Sequence, residues 1–193
     1  GRDSGMMARR TILAGLAGGM AALLAGCGLL GGNKYRFRMT VEVETPQGLR
    51  SGSSVYEVSA WNEVGMDPSG RIRRMTLKGE AITLDLPAGP VFVLLRTSGA
   101  NPDIDLADAS MATLDQEYRN DWVESAGRIS GSWSTRRGEV PRADWPLMVR
   151  FRDINDPTSV ERVDPEAIGV KRIVLETTSD EVTTGIEKRL GWL

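Results

Sequence analysis

Residues 35–44 read YRFRMTVEVE, so that apolar and polar side chains alternate without interruption. A period of two is typical of a β-strand that packs one face on a core and turns the other face to water. The following Pro46-Gln47-Gly48 favours a turn, because proline fixes φ and glycine accepts a positive value. Residues 53–61 then have the composition of a returning strand. The sequence therefore predicts an antiparallel hairpin.

A second group of strands is predicted around the turn Pro87-Ala88-Gly89. Before this turn, the apolar side chains Ile82, Leu84 and Leu86 alternate with polar ones. After it, residues 91–95 read VFVLL and are apolar on both faces, so this strand has to be covered on two sides. Less regular strand patterns occupy residues 71–77, 147–151 and 168–176, and the composition of residues 66–70 predicts a loop.

A helix is predicted from Pro102 to Trp122. Asn101 is a favourable N-cap, proline suits the first helical position, and two early aspartates complement the helix dipole. Apolar side chains follow at spacings of three and four, which places them on one helical face: Ile104, Ala107, Met111, Leu114 and Tyr118. We expect this face to cover the strand at residues 91–95.

These elements predict a β-rich α+β fold, in which a curved antiparallel sheet or sandwich carries one packed helix. Glycines and a proline interrupt residues 126–145, for which the pattern favours no regular element. A short turn carrying Ile186 and Leu190 is expected near the end of the chain. Residues 34–193 are long enough to form a single domain with its own core.

The beginning of the chain follows the order of a secretory signal. Arg9 and Arg10 precede the apolar run 11–24, and small residues lead to Cys27, the only cysteine. Together, Leu24-Ala25-Gly26-Cys27 resembles the lipobox of bacterial lipoproteins. The resemblance covers residues 7–27 and implies cleavage between Gly26 and Cys27, with a diacylglyceryl group and a palmitate chain on that cysteine.

The resemblance divides the chain into a signal peptide at 1–26, a lipidated tether at 27–33 and a periplasmic domain. Residues 1–5 precede the first methionines and are interpreted as an upstream extension. In lipoproteins of this kind, Asp after the cysteine often signals inner-membrane retention. Gly28 stands there instead, which implies an outer-membrane lipoprotein facing the periplasm.

An uncleaved membrane anchor is the alternative. The apolar run 11–24 is, however, shorter than the roughly 20 residues that a helix needs to span a bilayer. The arginine pair fits either general or twin-arginine export.

Composition excludes several kinds of chemistry. The chain has no histidine, its one cysteine is the predicted acylation site, and its net charge is −2. Serine–histidine and cysteine–histidine catalysis, disulfides and the usual zinc ligands are therefore not expected. A mildly acidic chain is also a poor partner for nucleic acid. The expected partners are the membrane, through the lipid, and a glycan or an envelope protein, with no cofactor and no metal.

Acidic pairs leave one catalytic alternative open, a carboxylate-based hydrolase or lyase of the cell envelope. Glu42 and Glu44 share one face of the first strand, although two arginines of the same strand also lie on that face. The acidic stretches at 103–108 and 153–156 are interpreted as a helix start and a turn, because they lack the glycine and glutamate of a calcium loop.

One segment combines flat aromatic rings with guanidinium groups: Trp133, Arg136, Arg137 and Trp145. Such groups bind sugars or anionic polymers by stacking and by paired hydrogen bonds. In the other interpretation, the tryptophans close one end of the β-domain and the arginines are solvated. The sequence as a whole favours a lipid-anchored, non-catalytic binding or assembly module of the cell envelope over the hydrolase or lyase.

Overall fold

A computed structural model describes residues 32–64, 70–97 and 102–193, which form two antiparallel sheets and two α-helices. The strands are β1 (Gly32–Thr45), β2 (Gly48–Val64), β3 (Arg71–Lys78), β4 (Ile82–Leu86), β5 (Gly89–Val93), β6 (Arg137–Glu139), β7 (Met148–Phe151), β8 (Val160–Val163) and β9 (Val170–Thr177). The first sheet has the order β3-β2-β1-β9-β6, and the second has the order β4-β5-β7-β8. The predicted class, a β-rich α+β fold, is confirmed.

The predicted hairpin is confirmed and is longer than its alternating stretch. β1 and β2 pair from Gly32 opposite Trp61 to Thr45 opposite Gly48. Gly48 has a φ of +106°, which the turn requires and which favours glycine. Every apolar side chain of the alternation is buried, while the polar ones line the opposite face: Tyr35, Phe37, Met39, Val41 and Val43 form the buried row. All five side chains of this row belong to the main hydrophobic core.

The second sheet packs on the half of the hairpin nearest its turn. Ile82 and Leu84 of β4 join Val91 and Val93 of β5 in the main core. The two sheets approach closely at Gly52 of β2, where a Cβ atom would lie 2.8 Å from the Ile82 side chain and from the carbonyl oxygen of residue 83. Only glycine leaves room for this crossing.

The prediction that residues 91–95 need two covers is confirmed, but the predicted cover is wrong. Val91 and Val93 face the first sheet, whereas Phe92 points the other way and packs with Leu190. The cover on this outer face is the C-terminal segment, which includes a short 3₁₀ turn at Ile186–Lys188. An ion pair of Arg189 with Asp85 of β4, at 2.6 Å, holds this C-terminal segment against the second sheet.

The single helix predicted over 102–122 is wrong in extent, because two helices form. The first, α1 (Pro102–Leu114), stops before the Asp115 carboxylate, which accepts a hydrogen bond from the backbone N–H of residue 117. Asn120 then has a φ of +62° and reverses the chain. Asp121 caps the second helix, α2 (Trp122–Ser130), by accepting from the Glu124 N–H at 3.0 Å. The second half of α2 therefore lies within residues 126–145, for which the sequence pattern predicted no regular element.

Both helices pack on the first sheet, at the end where β1 begins. α1 lies against β3, β6 and β9, and α2 lies against β1 and β2. The Asn33 amide donates to the Val123 carbonyl at 2.8 Å, and the hydroxyls of Tyr35 and Ser110 are 2.6 Å apart.

No helix in the described ranges is long and apolar enough to cross a bilayer. The predicted N-cap at 101, most of the 66–70 loop and the Ile104 side chain lie outside the described residues.

Candidate functional site

The four residues predicted as a binding site do not converge on one surface. They lie along a segment that leaves α2, pairs with β9 as β6 and continues along the first sheet. Trp133 is fully exposed at the beginning of this segment, whereas Trp145, near its end, is half-buried against the main core. The two arginines between them have separate partners. The segment therefore carries two aromatic surfaces.

Arg136 is held by internal contacts. Its guanidinium donates to the Leu114 carbonyl and to the Arg128 carbonyl, each at 3.1 Å. It also lies 3.6 Å from the Asp115 carboxylate. These contacts join the ends of both helices to β6. Arg137, by contrast, is exposed and pairs only loosely with Glu176, at 3.5 Å.

Asp115 is the most buried carboxylate of the ion pairs in the described structure, with 1% of its side chain exposed. Its oxygens accept hydrogen bonds from the Arg128 guanidinium at 2.8 and 3.0 Å. Burial alone would raise the pKa of the Asp115 carboxyl, but the hydrogen bonds that this carboxylate accepts and the positive charge of Arg128 together outweigh burial and hold that pKa below its ordinary value. This carboxylate therefore remains ionised and works as a structural tie.

Trp145 forms part of the wall of a cavity of about 500 Å³. Its indole N–H donates to the Val140 carbonyl at 3.0 Å, and the Arg142 guanidinium lies 5.4 Å from the ring centroid. Arg142 also pairs with Glu166 across the rim. The wall is otherwise aliphatic, with charged groups at its edge: Ala143, Pro146, Leu147, Met148, Val163, Pro165, Arg162 and Asp164. We call this the Trp145 cavity; its size is in the range of small-ligand sites.

The Trp145 cavity lies near the end of the first sheet where β1 finishes. Next to Trp145 in space, the Val140 N–H donates to the Ile173 carbonyl at 2.8 Å, and Ile173 is paired with Val41. On the rim, Glu166 precedes a loop whose Gly169 carbonyl accepts from the Glu44 N–H at 2.9 Å. A ligand in this cavity would therefore lie far from Gly32.

Trp133 borders a shallower cavity of about 630 Å³ at the opposite end. The first residues of β1 contribute Lys34, Tyr35 and Arg36 to its lining. Most of the remaining lining residues carry hydroxyl groups: Ser130, Ser132, Ser134, Thr135, Thr177, Thr178 and Ser179. We call this the Trp133 surface. The Trp133 ring contributes no burial to the domain, because its exposure is that of an isolated side chain.

The acidic pair on β1 is neutralised by basic neighbours. Arg172 donates to the Glu42 carboxylate at 2.7 and 3.1 Å, and this hydrogen bonding lowers the pKa of that carboxyl. Glu44 pairs with Lys171 at 3.6 Å. A general acid in hydrolysis needs a raised pKa. Within the described ranges, nothing at these two residues favours the hydrolase or lyase alternative, and no group of three or more acidic side chains is placed to hold a metal.

The sequence patterns did not identify four charged residues around the Trp145 cavity: Arg142, Arg162, Asp164 and Glu166. They come from separate segments, 142 on one side and 162–166 on the other, and only the fold brings them together. The sequence offered a weak signal in the turn-forming pair Asp164-Pro165, which places the acidic rim in a loop. Comparison of the chain with protein-family models, with curated proteins and with solved structures gave no match.

Proposed function

We propose that this chain is a lipid-anchored protein of the bacterial cell envelope, whose domain binds a ligand or takes part in assembly. The observation that carries the proposal is the order Leu24-Ala25-Gly26-Cys27 behind an arginine-led apolar run, with β1 beginning only five residues after the cysteine. An acylated Cys27 would hold the membrane-bound lipid next to the first strand. The domain then sits on the bilayer surface.

The length of the tether orients the domain. Five residues span at most about 17 Å when fully extended, so Gly32 stays close to the headgroups. β1 has 14 residues, and a strand of that length extends roughly 45 Å. The Trp133 surface is then near the membrane, and the Trp145 cavity is far from it. A ligand of the Trp145 cavity would be met in the periplasmic space.

Substitution of Cys27 tests the anchor. In a bacterium with two membranes, wild-type protein is expected with outer-membrane markers on a density gradient, because Gly28 provides no retention signal. Cys27→Ser is expected to give an unprocessed precursor or protein away from the outer membrane. Wild-type protein with inner-membrane markers would overturn the sorting proposal, and identical gradients for the two proteins would overturn the anchor.

For the ligand, we propose an acidic glycan of the envelope. An aromatic and aliphatic wall suits the apolar faces of sugar rings, and arginines bind carboxylates by charge-assisted hydrogen bonds. Arg142 is already paired with Glu166, whereas Arg162 has no ion pair among the described residues. Arg162 is therefore the cation best placed to receive a carboxylate of the ligand.

Binding of carboxylate-bearing peptidoglycan fragments to the acylated chain, measured by calorimetry, tests this assignment. Arg162→Ala is expected to weaken binding about tenfold, the loss of one charge-assisted hydrogen bond. Arg152→Ala is the matched control, because Arg152 flanks the same strand pair and forms an exposed ion pair with Glu161 at 2.9 Å. Equal affinities for the two variants, or no saturable binding by wild type, would contradict the glycan site.

A further inference from the structure

We infer that Trp133 inserts into the headgroup layer of the membrane that holds Cys27, and so fixes the orientation of the domain. This inference rests on the proposed anchor. It begins from an unexplained side chain, because Trp133 is 104% exposed and its large apolar ring has no partner in the described part of the protein. A fully hydrated indole gives no stability to the fold, and large exposed aromatic side chains often mark an interaction surface.

The position of Trp133 identifies the bilayer as its partner. The Trp133 surface includes Lys34, two residues after the start of β1. The tether allows Cys27 to lie at most about 17 Å from Gly32. Once the lipid is in the bilayer, this end of the domain is within reach of the headgroups. A partner elsewhere in the periplasm would have to enter the gap between domain and membrane to reach the same ring.

The chemistry of the surface fits the headgroup layer. Indole rings concentrate at the membrane–water interface, where the apolar ring is sheltered and the N–H stays hydrated. Serine and threonine hydroxyls surround Trp133, and Lys34 is 59% exposed despite its 3.3 Å ion pair with Glu57. These groups can donate hydrogen bonds to lipid phosphates. Trp61, opposite Gly32, and Trp122, at the start of α2, lie at the same end of the domain.

Quenching by brominated lipids tests the insertion of this ring. The acylated full chain is placed in phosphatidylcholine vesicles, with or without bromine on the acyl chains near the headgroups. The chain has five tryptophans, so the Trp133 contribution is obtained as the difference between wild-type and Trp133→Phe emission. This difference is expected to be blue-shifted in vesicles and to be lost when the lipids carry bromine.

Trp192→Phe provides the matched control. Trp192 is 37% exposed and packs edge-on against Phe151, on the outer face of the second sheet. Its difference emission is expected to be equal in both kinds of vesicle. Acylated protein whose Trp133 emission is unquenched would overturn this inference and leave the anchor intact. Quenching of that emission by soluble glycan fragments, without an effect of bromine, would also overturn it. A preparation with no lipid on Cys27 would overturn both proposals.

Discussion

Replacing Asp115 with alanine is expected to lower the free energy of unfolding by about 3 kcal/mol. Removal of one partner from a buried ion pair typically costs about 3–5 kcal/mol, because the remaining charge is left without compensation. Arg128 and Arg136 are 23% and 29% exposed, so water partly relieves them, and the lower end of that range applies. Asp115 joins the end of α1 to α2 and β6, so its loss loosens three elements together.

The lowered pKa of Asp115 also predicts that stability depends on pH. Because the folded-state pKa of Asp115 is lowered, its contribution to stability is fully present above the unfolded-state pKa, which is about 4. The contribution is lost as the pH falls through the folded-state value. The unfolding free energies of wild type and Asp115→Asn, measured in urea, should therefore differ fully above about pH 4 and converge as the pH falls below the folded-state pKa of Asp115.

Glu117→Ala is the control for this pair of measurements. Glu117 is exposed, and its backbone N–H, which bonds to Asp115, survives the substitution. An exposed change of this kind should alter stability by less than about 0.5 kcal/mol. If Asp115→Ala and Glu117→Ala had equal unfolding midpoints, Asp115 would not be a structural tie.

Leu114→Ala is the second large effect, with an expected loss of about 2–5 kcal/mol of unfolding free energy. Leu114 is 4% exposed and belongs to the main core, together with Met111 and Ala107 of the same helical face. Truncation removes apolar contacts and leaves a cavity between α1 and the first sheet. Denaturant unfolding of residues 28–193 measures the loss.

Gln116→Ala is the exposed control for this experiment. Gln116 lies two residues further on and is exposed, so its truncation should cost less than about 0.5 kcal/mol. A solvated linker would tolerate both substitutions equally. Equal midpoints would therefore mean that α1 does not pack on the sheet.

The hairpin of β1 and β2 could be predicted because its information is local. The alternation at residues 35–44 gives each side chain a face, and Gly48 ends the turn. The burial of all five apolar side chains followed from that pattern. The sequence did not indicate that the pairing would extend to Gly32 opposite Trp61, since the residues at that end do not alternate.

The helical region was predicted as one helix because its apolar spacing continues past the true end. Tyr118 still packs on the core after α1 has stopped, and its hydroxyl donates to the Asp108 carboxylate. A different pattern in the sequence marked the start of the second helix. Asp121 and Glu124 stand three apart, an acidic pair suited to the start of a helix. Gly127, counted as a helix breaker, sits where a Cβ would lie 2.9 Å from the Asn33 amide.

The wrong cover for residues 91–95 and the missed Trp145 cavity have the same cause. An uninterrupted apolar run such as VFVLL shows that a strand has two apolar faces, but it does not show which distant segment covers each one. Leu190 reaches Phe92 from almost a hundred residues away, and Arg142 meets Glu166 across β7 and β8. Contacts at this separation depend on the arrangement of the two sheets, which no local pattern in the sequence specifies.

Intact-mass measurement of protein extracted from bacterial membranes tests the central claim, that lipid on Cys27 holds this domain at the membrane. We expect a mature chain that begins at Cys27 and is heavier than residues 27–193 by a diacylglyceryl group and an acyl chain. Fragmentation should place this added mass on the first residue. A mature chain with an unmodified Cys27 thiol, or cleavage at another position, would contradict the account.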